Sequence, residues 1–346
     1  GTTALVIDSG IMPNADLGAR YLGSLNFVSG EQQGADRYGH GTFVANMIAA
    51  DGTKSGGQYL GIAPRANVLS FRVNNNQGQG SESDVVAALQ WAFENRQVHN
   101  IRVVNISLNS SVATSYANSP LCAAVEMLWF SGITVVVAAG NNGSATLYPP
   151  ANDPFVITVG ATDDKGTPGI ADDTVASFSA WGTAESGLSK PELVAPGRNI
   201  VAYLPVTSDL SMSVNRPGNR IGADYFRMSG TSVAAPIVAG AALLLLQDEP
   251  RLTPDQVKLR LTTTAVRGDR WAGYDPTKAG AGYLDIYAAV NGSSTNAFPT
   301  LIRPAPALQS VFGPLWTSTN WQATTAGEVN WNSVNWNSVN WNSVNW

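Results

Sequence analysis

The chain has one cysteine, Cys122, and two histidines, His40 and His99, among 346 residues. A lone thiol excludes any intrachain disulfide. Its place in the apolar run LCAAVEMLWF, with no histidine nearby in sequence, reads as core rather than as a reactive or metal-binding group. Charge is scarce too: 13% of residues are charged and the net charge is -5, which excludes the basic face that a nucleic-acid binder needs. Long hydrophobic runs are absent. The longest, Val233 to Leu246, is too short for a bilayer and carries Pro236 and Gly240, so it reads as a buried helix rather than a membrane span. No signal or transit pattern precedes the first strand, and the abrupt start at Gly1 points to a processed amino terminus whose leader has been removed.

What is present, from residue 4 to about 292, is an alternation of short β-branched runs with helical patterns. The strand candidates are ALVID, NVLSFRV, IRVVNISL, TVVVAAG, FVITVGA and NIVAYL, nearly continuous in apolar character as strands covered on both faces should be. Helix ends are legible between them. Ser83 can cap DVVAALQWAFENR, Gly132 can close the helix that runs through Met127, and Thr253-Pro254-Asp255-Gln256 reads as cap, first-turn proline and capping-box partner. This order predicts an α/β fold of three layers, a mostly parallel sheet with helices on both faces, in which reactive groups gather where strands end and helices begin.

Composition shifts after Gly292. Residues 293–346 hold only two charged side chains, Arg303 and Glu328, but six of the ten tryptophans. A proline-spaced stretch, AFPTLIRPAPAL, reads as an extended connector. We therefore expect a main domain over 1–292, a linker over 293–314 and a repeat tail over 315–346.

Four stretches could carry chemistry, and each has a plain structural reading beside it. Asp8, in LVIDSG, ends a buried strand and could be a turn former. His40, in GHGTFVANMIAA, could cap a helix; with His99 in the polar RQVHNIR, it is also the one candidate general base. Ser232, in MSGTSVAAPIVAG, could be an ordinary helix cap, and Pro236 is expected near the first turn, where proline is tolerated. A hydroxyl there also has free N–H groups and the positive end of the helix dipole beside it, suited to the charge that forms in acyl transfer. Asn141, in VVVAAGNNGS, could form a turn with Asn142 and Gly143, or offer its amide to an oxyanion.

Taken together and in this order, DSG, HGT, AAGN and GTSVAAP resemble the subtilisin-like serine proteases, in which the order Asp, His, Ser is the one already described. Segments between the motifs also match, among them GIAPRANVLSFRV, VVNISL, ASFSAWG, ELVAPG and AGAGYLDIYAAV, so the resemblance spans roughly residues 4–292. It implies a secreted serine endopeptidase acting on polypeptides, with Ser232 as nucleophile, His40 as general base and acid, Asp8 as its orienting carboxylate, and Asn141 with the Ser232 amide receiving the oxyanion. It further implies that Gly78 and Gly80, with Ser107, Leu108 and Asn109, hold an extended substrate by main-chain pairing. Ala138, Ala139 and Gly140 become an uncharged wall for the residue before the cut, which points to an apolar or modest-sized side chain there.

The sequence departs from the family pattern at Phe43, Asn46 and Ile237, and at Asn109, where glycine is usual. Only seven residues precede Asp8, so the family's usual structural calcium site is expected to be incomplete. Asp16, Asp51, Asp163, Asp164, Asp172 and Asp173 are the remaining candidates for a cation, with a solvated acidic loop as the stronger reading. No cofactor is required for the chemistry.

The resemblance stops before the tail. Trp316, Trp321, Trp331, Trp336, Trp341 and Trp346 share a five-residue register, with Ala326 filling its one gap. That period fits no amphipathic helix, and in a strand it sends successive tryptophans to opposite faces. Many aromatics and almost no charge run against disorder. We expect docking, either onto the chain's own domain, onto a neighbouring copy or onto a surface partner. A rival reading makes the chain a subunit of an extracellular assembly derived from a protease and linked through this tail.

Overall fold

The computed structural model describes residues 1–28, 36–207, 210–268, 270–293 and 343–344, the last pair by backbone alone. Its centre is an eight-stranded sheet. The parallel strands are β1 (Thr3–Asp8), β2 (Tyr21–Asn26), β3 (Asn67–Arg72), β5 (Ile101–Ile106), β6 (Thr134–Ala138), β7 (Ile157–Asp163) and an edge strand, Leu193–Pro196. They lie in the order edge strand, β7, β6, β5, β1, β3, β2, and the short β8 (Thr174–Val175) pairs antiparallel to β7. The chain moves from β1 to β3 on one side and later returns to β5 on the other. Such a reversal opens a crevice at the carboxyl ends of the strands, and both β1 and β5 end there.

The apolar runs are continuous because the strands are covered twice: all six residues of β1 and all five of β6 are buried. Helix α1 (His40–Ala49) packs on α5 (Thr231–Asp248), and α5 lies along β5, β6 and β7. Helices α2 (Glu82–Asn95) and α3 (Pro120–Phe130) form a second pair, with α3 against β6. By length and composition α5 could cross a membrane, yet 78% of it is buried inside the fold, as a core helix should be. Two short helices, α4 (Ser211–Asn215) and α6 (Pro254–Thr263), complete those used below, and α6 carries the expected capping box between Thr253 and Gln256. Cys122 is buried in α3.

Several local expectations need correcting. NIVAYL does not join the parallel sheet: Ile200–Tyr203 pairs antiparallel with Tyr225–Met228 in a separate three-stranded sheet. Ser81, not Ser83, caps α2, because its hydroxyl accepts from Asp84 N; it follows the two-residue strand β4 (Gly80–Ser81). Pro236 lies in the second turn of α5 rather than its first, so it removes a helical hydrogen bond. The connector beyond residue 293 and the repeat lie outside the described residues, apart from the backbone of Ser343–Val344, which pairs antiparallel with Gly80–Ser81.

Candidate active site

Asp8 is the last residue of β1 and is buried. His40 opens α1, and its Nδ1 lies 2.9 Å and 2.8 Å from the two carboxylate oxygens of Asp8. The loop between strand and helix is stitched to both. Asp8 Oδ1 accepts from Ser9 N at 2.7 Å, and Ser9 Oγ accepts from Gly41 N at 2.9 Å. Gly41 has to be glycine, since a Cβ there would stand 2.1 Å from the carbonyl oxygen of Gly10. Burial alone would depress the His40 pKa, but the charge and hydrogen bond of Asp8, with the charge of Asp36, outweigh it and leave the imidazole above its ordinary range. His99 sits at the other end of β1, where its carbonyl accepts from Thr3 Oγ1 and its ring lies against Trp91.

Ser232 is the second residue of α5. Its N-cap residue, Gly230, has no side chain to cap it, and Ser232 N donates to no other described residue. Its carbonyl is held from outside: Pro236, four residues on, has no N–H to offer it, and Ser107 Oγ donates instead at 2.9 Å. Asn105 Nδ2 donates to Ser107 Oγ in turn, also at 2.9 Å. Ile7 and Ile106 are in register on β1 and β5, so Asp8 and Ser107 are the next residues along two adjacent strands. One grips His40 and the other grips Ser232, which brings both helix starts to the same edge of the sheet. Among the described residues no hydrogen bond joins His40 to Ser232.

Asn141 follows β6. Its Oδ1 accepts from Thr231 N at 2.8 Å and from Thr231 Oγ1 at 3.1 Å, while Thr231 Oγ1 accepts from Gly140 N at 3.0 Å. The acceptor end of the amide is thereby used up on the first residue of α5, and Nδ2 remains as a donor beside Gly230. A Cβ on Gly230 would lie 3.4 Å from that nitrogen and 3.0 Å from Ser232 Oγ. Asn141 Nδ2 and Ser232 Oγ thus both lie beside Gly230.

The remaining expected residues form two borders. Ser107, Leu108 and Asn109 leave the end of β5, and Ala138, Ala139 and Gly140 leave the end of β6 beside them. Gly78 and Gly80 lie just before α2, Gly80 in β4: a Cβ on Gly78 would stand 2.5 Å from the ring of Tyr38, two residues before His40, and one on Gly80 would stand 2.4 Å from Val73 O.

Asp36 escaped the sequence reading. It is fully buried, and it accepts from Tyr38 N, Gly39 N, Thr42 N and Thr42 Oγ1 at 2.7–3.0 Å. It therefore caps the helix that starts at His40, and Thr42 Oγ1 passes the connection on by accepting from Met12 N at 2.8 Å. The signal was present in DRYGHGT, an acid ahead of a glycine-flanked helix start, but nothing in sequence separates it from a surface turn.

Several of the acidic residues considered for a cation are engaged elsewhere, while Asp16 Oδ2 and Asp173 Oδ1 are buried without a hydrogen-bond partner among the described residues. Asp51 pairs with Arg20, Asp163 pairs with Lys165 and Arg198, Asp172 accepts from Thr167 Oγ1, and Asp16 Oδ1 accepts from Lys54 N. Among the described residues, no three acidic, histidine or cysteine side chains gather in one cluster.

A model of the Subtilase family matches residues 1–296. Serine protease AprX of Bacillus subtilis (strain 168) is 41% identical over 300 residues, which cover 84% of this chain and 66% of AprX, just under two thirds of its length. Subtilisin DY of Bacillus licheniformis is 34% identical over 290 residues, covering 82% of this chain and 89% of that protein. A solved cold adapted subtilisin-like serine proteinase superposes with a TM-score of 0.61 at 30% identity, over 82% of this chain and 87% of that one. The chain belongs to the subtilase family of serine proteases.

Proposed function

We propose that the chain is a serine endopeptidase that cleaves polypeptides through an acyl-enzyme on Ser232. His40 Nε2 takes the proton from Ser232 Oγ as that oxygen bonds to the scissile carbonyl carbon. The oxyanion is received by Asn141 Nδ2 and Ser232 N–H. His40 then protonates the leaving amine, the C–N bond breaks, and water repeats the sequence on the ester to release the acid. Asp8 holds Nδ1 as the protonated nitrogen and stabilises the imidazolium. The observation that carries this reading is the two-oxygen grip of Asp8 on His40 at one strand end, next to the strand end that holds Ser232. The hydrogen bond that this transfer needs between Ser232 and His40 is of the kind that forms only when substrate binds. A serine-directed phosphonate should label Ser232, and Ser232→Ala should lose peptide cleavage; full cleavage by that variant would defeat the assignment.

We further propose that residues 1–292 form the peptidase unit and that the enzyme acts outside the cell after removal of a leader. The tail is assigned a docking or self-assembly role. Its aromatic, nearly uncharged repeat supports this, as does the backbone pairing of Ser343–Val344 with Gly80–Ser81. Sedimentation of the chain with and without residues 315–346 tests it: a difference in mass state or compactness is expected, and identical monomers in both samples would remove the tail's role. No observation favours a purely structural subunit.

A further inference from the structure

Six residues border the slot between the ends of β5 and β6, and five of them cannot reach into it. Leu108 is 1% exposed and buried in the core, Ser107 is spent on Ser232, and Ala138, Ala139 and Gly140 bring two methyl groups and a hydrogen. Asn109 is different. Its Nδ2 donates to Ala138 O at 2.9 Å, across the slot, and its Oδ1 lies 3.5 Å from where a Cβ on Gly140 would stand. The β5–β6 ladder ends at the pair Ile106 and Val137, so Ala138 O is the first carbonyl beyond it, and the asparagine amide takes the place of the next rung. A planar amide pinned at one end is a bar across the slot, at the level of Gly140 and next to Asn141.

We propose that Asn109 determines specificity by limiting the side chain before the cut to the size of Gly, Ala or Ser. This rests on the peptidase reading above. A Phe or Leu side chain must displace the amide from Ala138 O and leave that nearly buried carbonyl without a donor, so the bulky substrate meets a penalty the small one escapes.

The test compares two chromogenic peptides, identical except for Ala or Phe before the cut, on the full chain and on Asn109→Gly. The parent should prefer Ala. In Asn109→Gly the Phe-to-Ala ratio of kcat/KM should rise by about ten-fold or more, the scale on which a hydrophobic pocket discriminates by size. Asn109→Ala, which keeps an ordinary backbone, should move the ratio in the same direction if the glycine variant does not fold. A parent that cleaves both peptides and an unchanged ratio in a folded variant would overturn the role of Asn109 alone. A parent that cleaves neither peptide and resists phosphonate labelling would instead remove the peptidase reading beneath it.

Discussion

Asp36 has no hydrogen bond to Ser232, yet four donors converge on its buried carboxylate, and all four belong to the first turn of α1 or the residues leading into it. Burial pushes its pKa up, and its hydrogen bonds to Thr42 and Gly39 work against that rise. Its charge also helps hold the His40 pKa above the ordinary value. Asp36→Asn should therefore do two separable things. The amide can still accept at one position but presents N–H to Thr42 at the other, so the helix start shifts and kcat should fall about 10- to 100-fold with KM little changed. Loss of the charge should lower the His40 pKa, moving the acid limb of the kcat/KM profile to lower pH, because more acid is then needed before the imidazole is protonated. A drop in activity with an unmoved limb would show a purely structural role. Full activity with an unmoved limb would show no positioning role at all.

At the scale of elements, the strands of the main sheet that were legible in sequence are those buried on both faces. ALVID, NVLSFRV, IRVVNISL, TVVVAAG and FVITVGA announce themselves by apolar character alone, and the motif loops sit at their ends as an α/β sheet requires. Tyr21–Asn26 was not legible because it is an edge strand of mixed exposure with Gly23 and Ser24 inside it. Ile200–Tyr203 looked like another parallel strand because local composition does not encode pairing direction, which is set by its distant partner Tyr225–Met228. Pro236 shows the same limit inside the site. Sequence makes it an awkward helix residue; only the fold reveals that the carbonyl it frees is the one Ser107 uses to tie Ser232 to β5. Asp8, His40, Asn141 and Ser232 could be picked out by pattern, whereas Ser9, Asp36 and Thr231, which hold them, could not, and Ser107 was legible only as a substrate-binding residue, since the partners of all four lie on other elements.

For the molecule as a whole, the least expected charge is Lys190, fully buried, whose Nζ donates to Glu192 Oε1 at 2.6 Å and to Val156 O at 3.1 Å. Lys258 on α6 reaches the same carboxylate at 2.7 Å, so one acid serves two ammonium groups where α6, the approach to β7 and the edge strand Leu193–Pro196 meet. Burial depresses the Lys190 pKa from 10.5 to about 8, against the pull of Glu192. Below pH 8 both folded and unfolded chains carry this proton and the burial penalty stands in full. Between about 8 and 10.5 the unfolded chain binds more protons than the folded one, so this site makes stability rise with pH. Across that window it amounts to about 3 kcal/mol. Buried phenols act in the opposite sense above pH 10: burial holds the Tyr283 and Tyr203 hydroxyls above their ordinary range, and unfolding releases them to ionise. Urea unfolding in the Ser232→Ala background, which prevents self-digestion, should thus show the folded state gaining stability from pH 8 towards 10. Lys190→Met, lacking the titrating group, should lose that rise, so the gap between the two proteins changes steadily in favour of Lys190 as pH increases. Parallel curves for the two proteins across this range would mean that Lys190 keeps its proton.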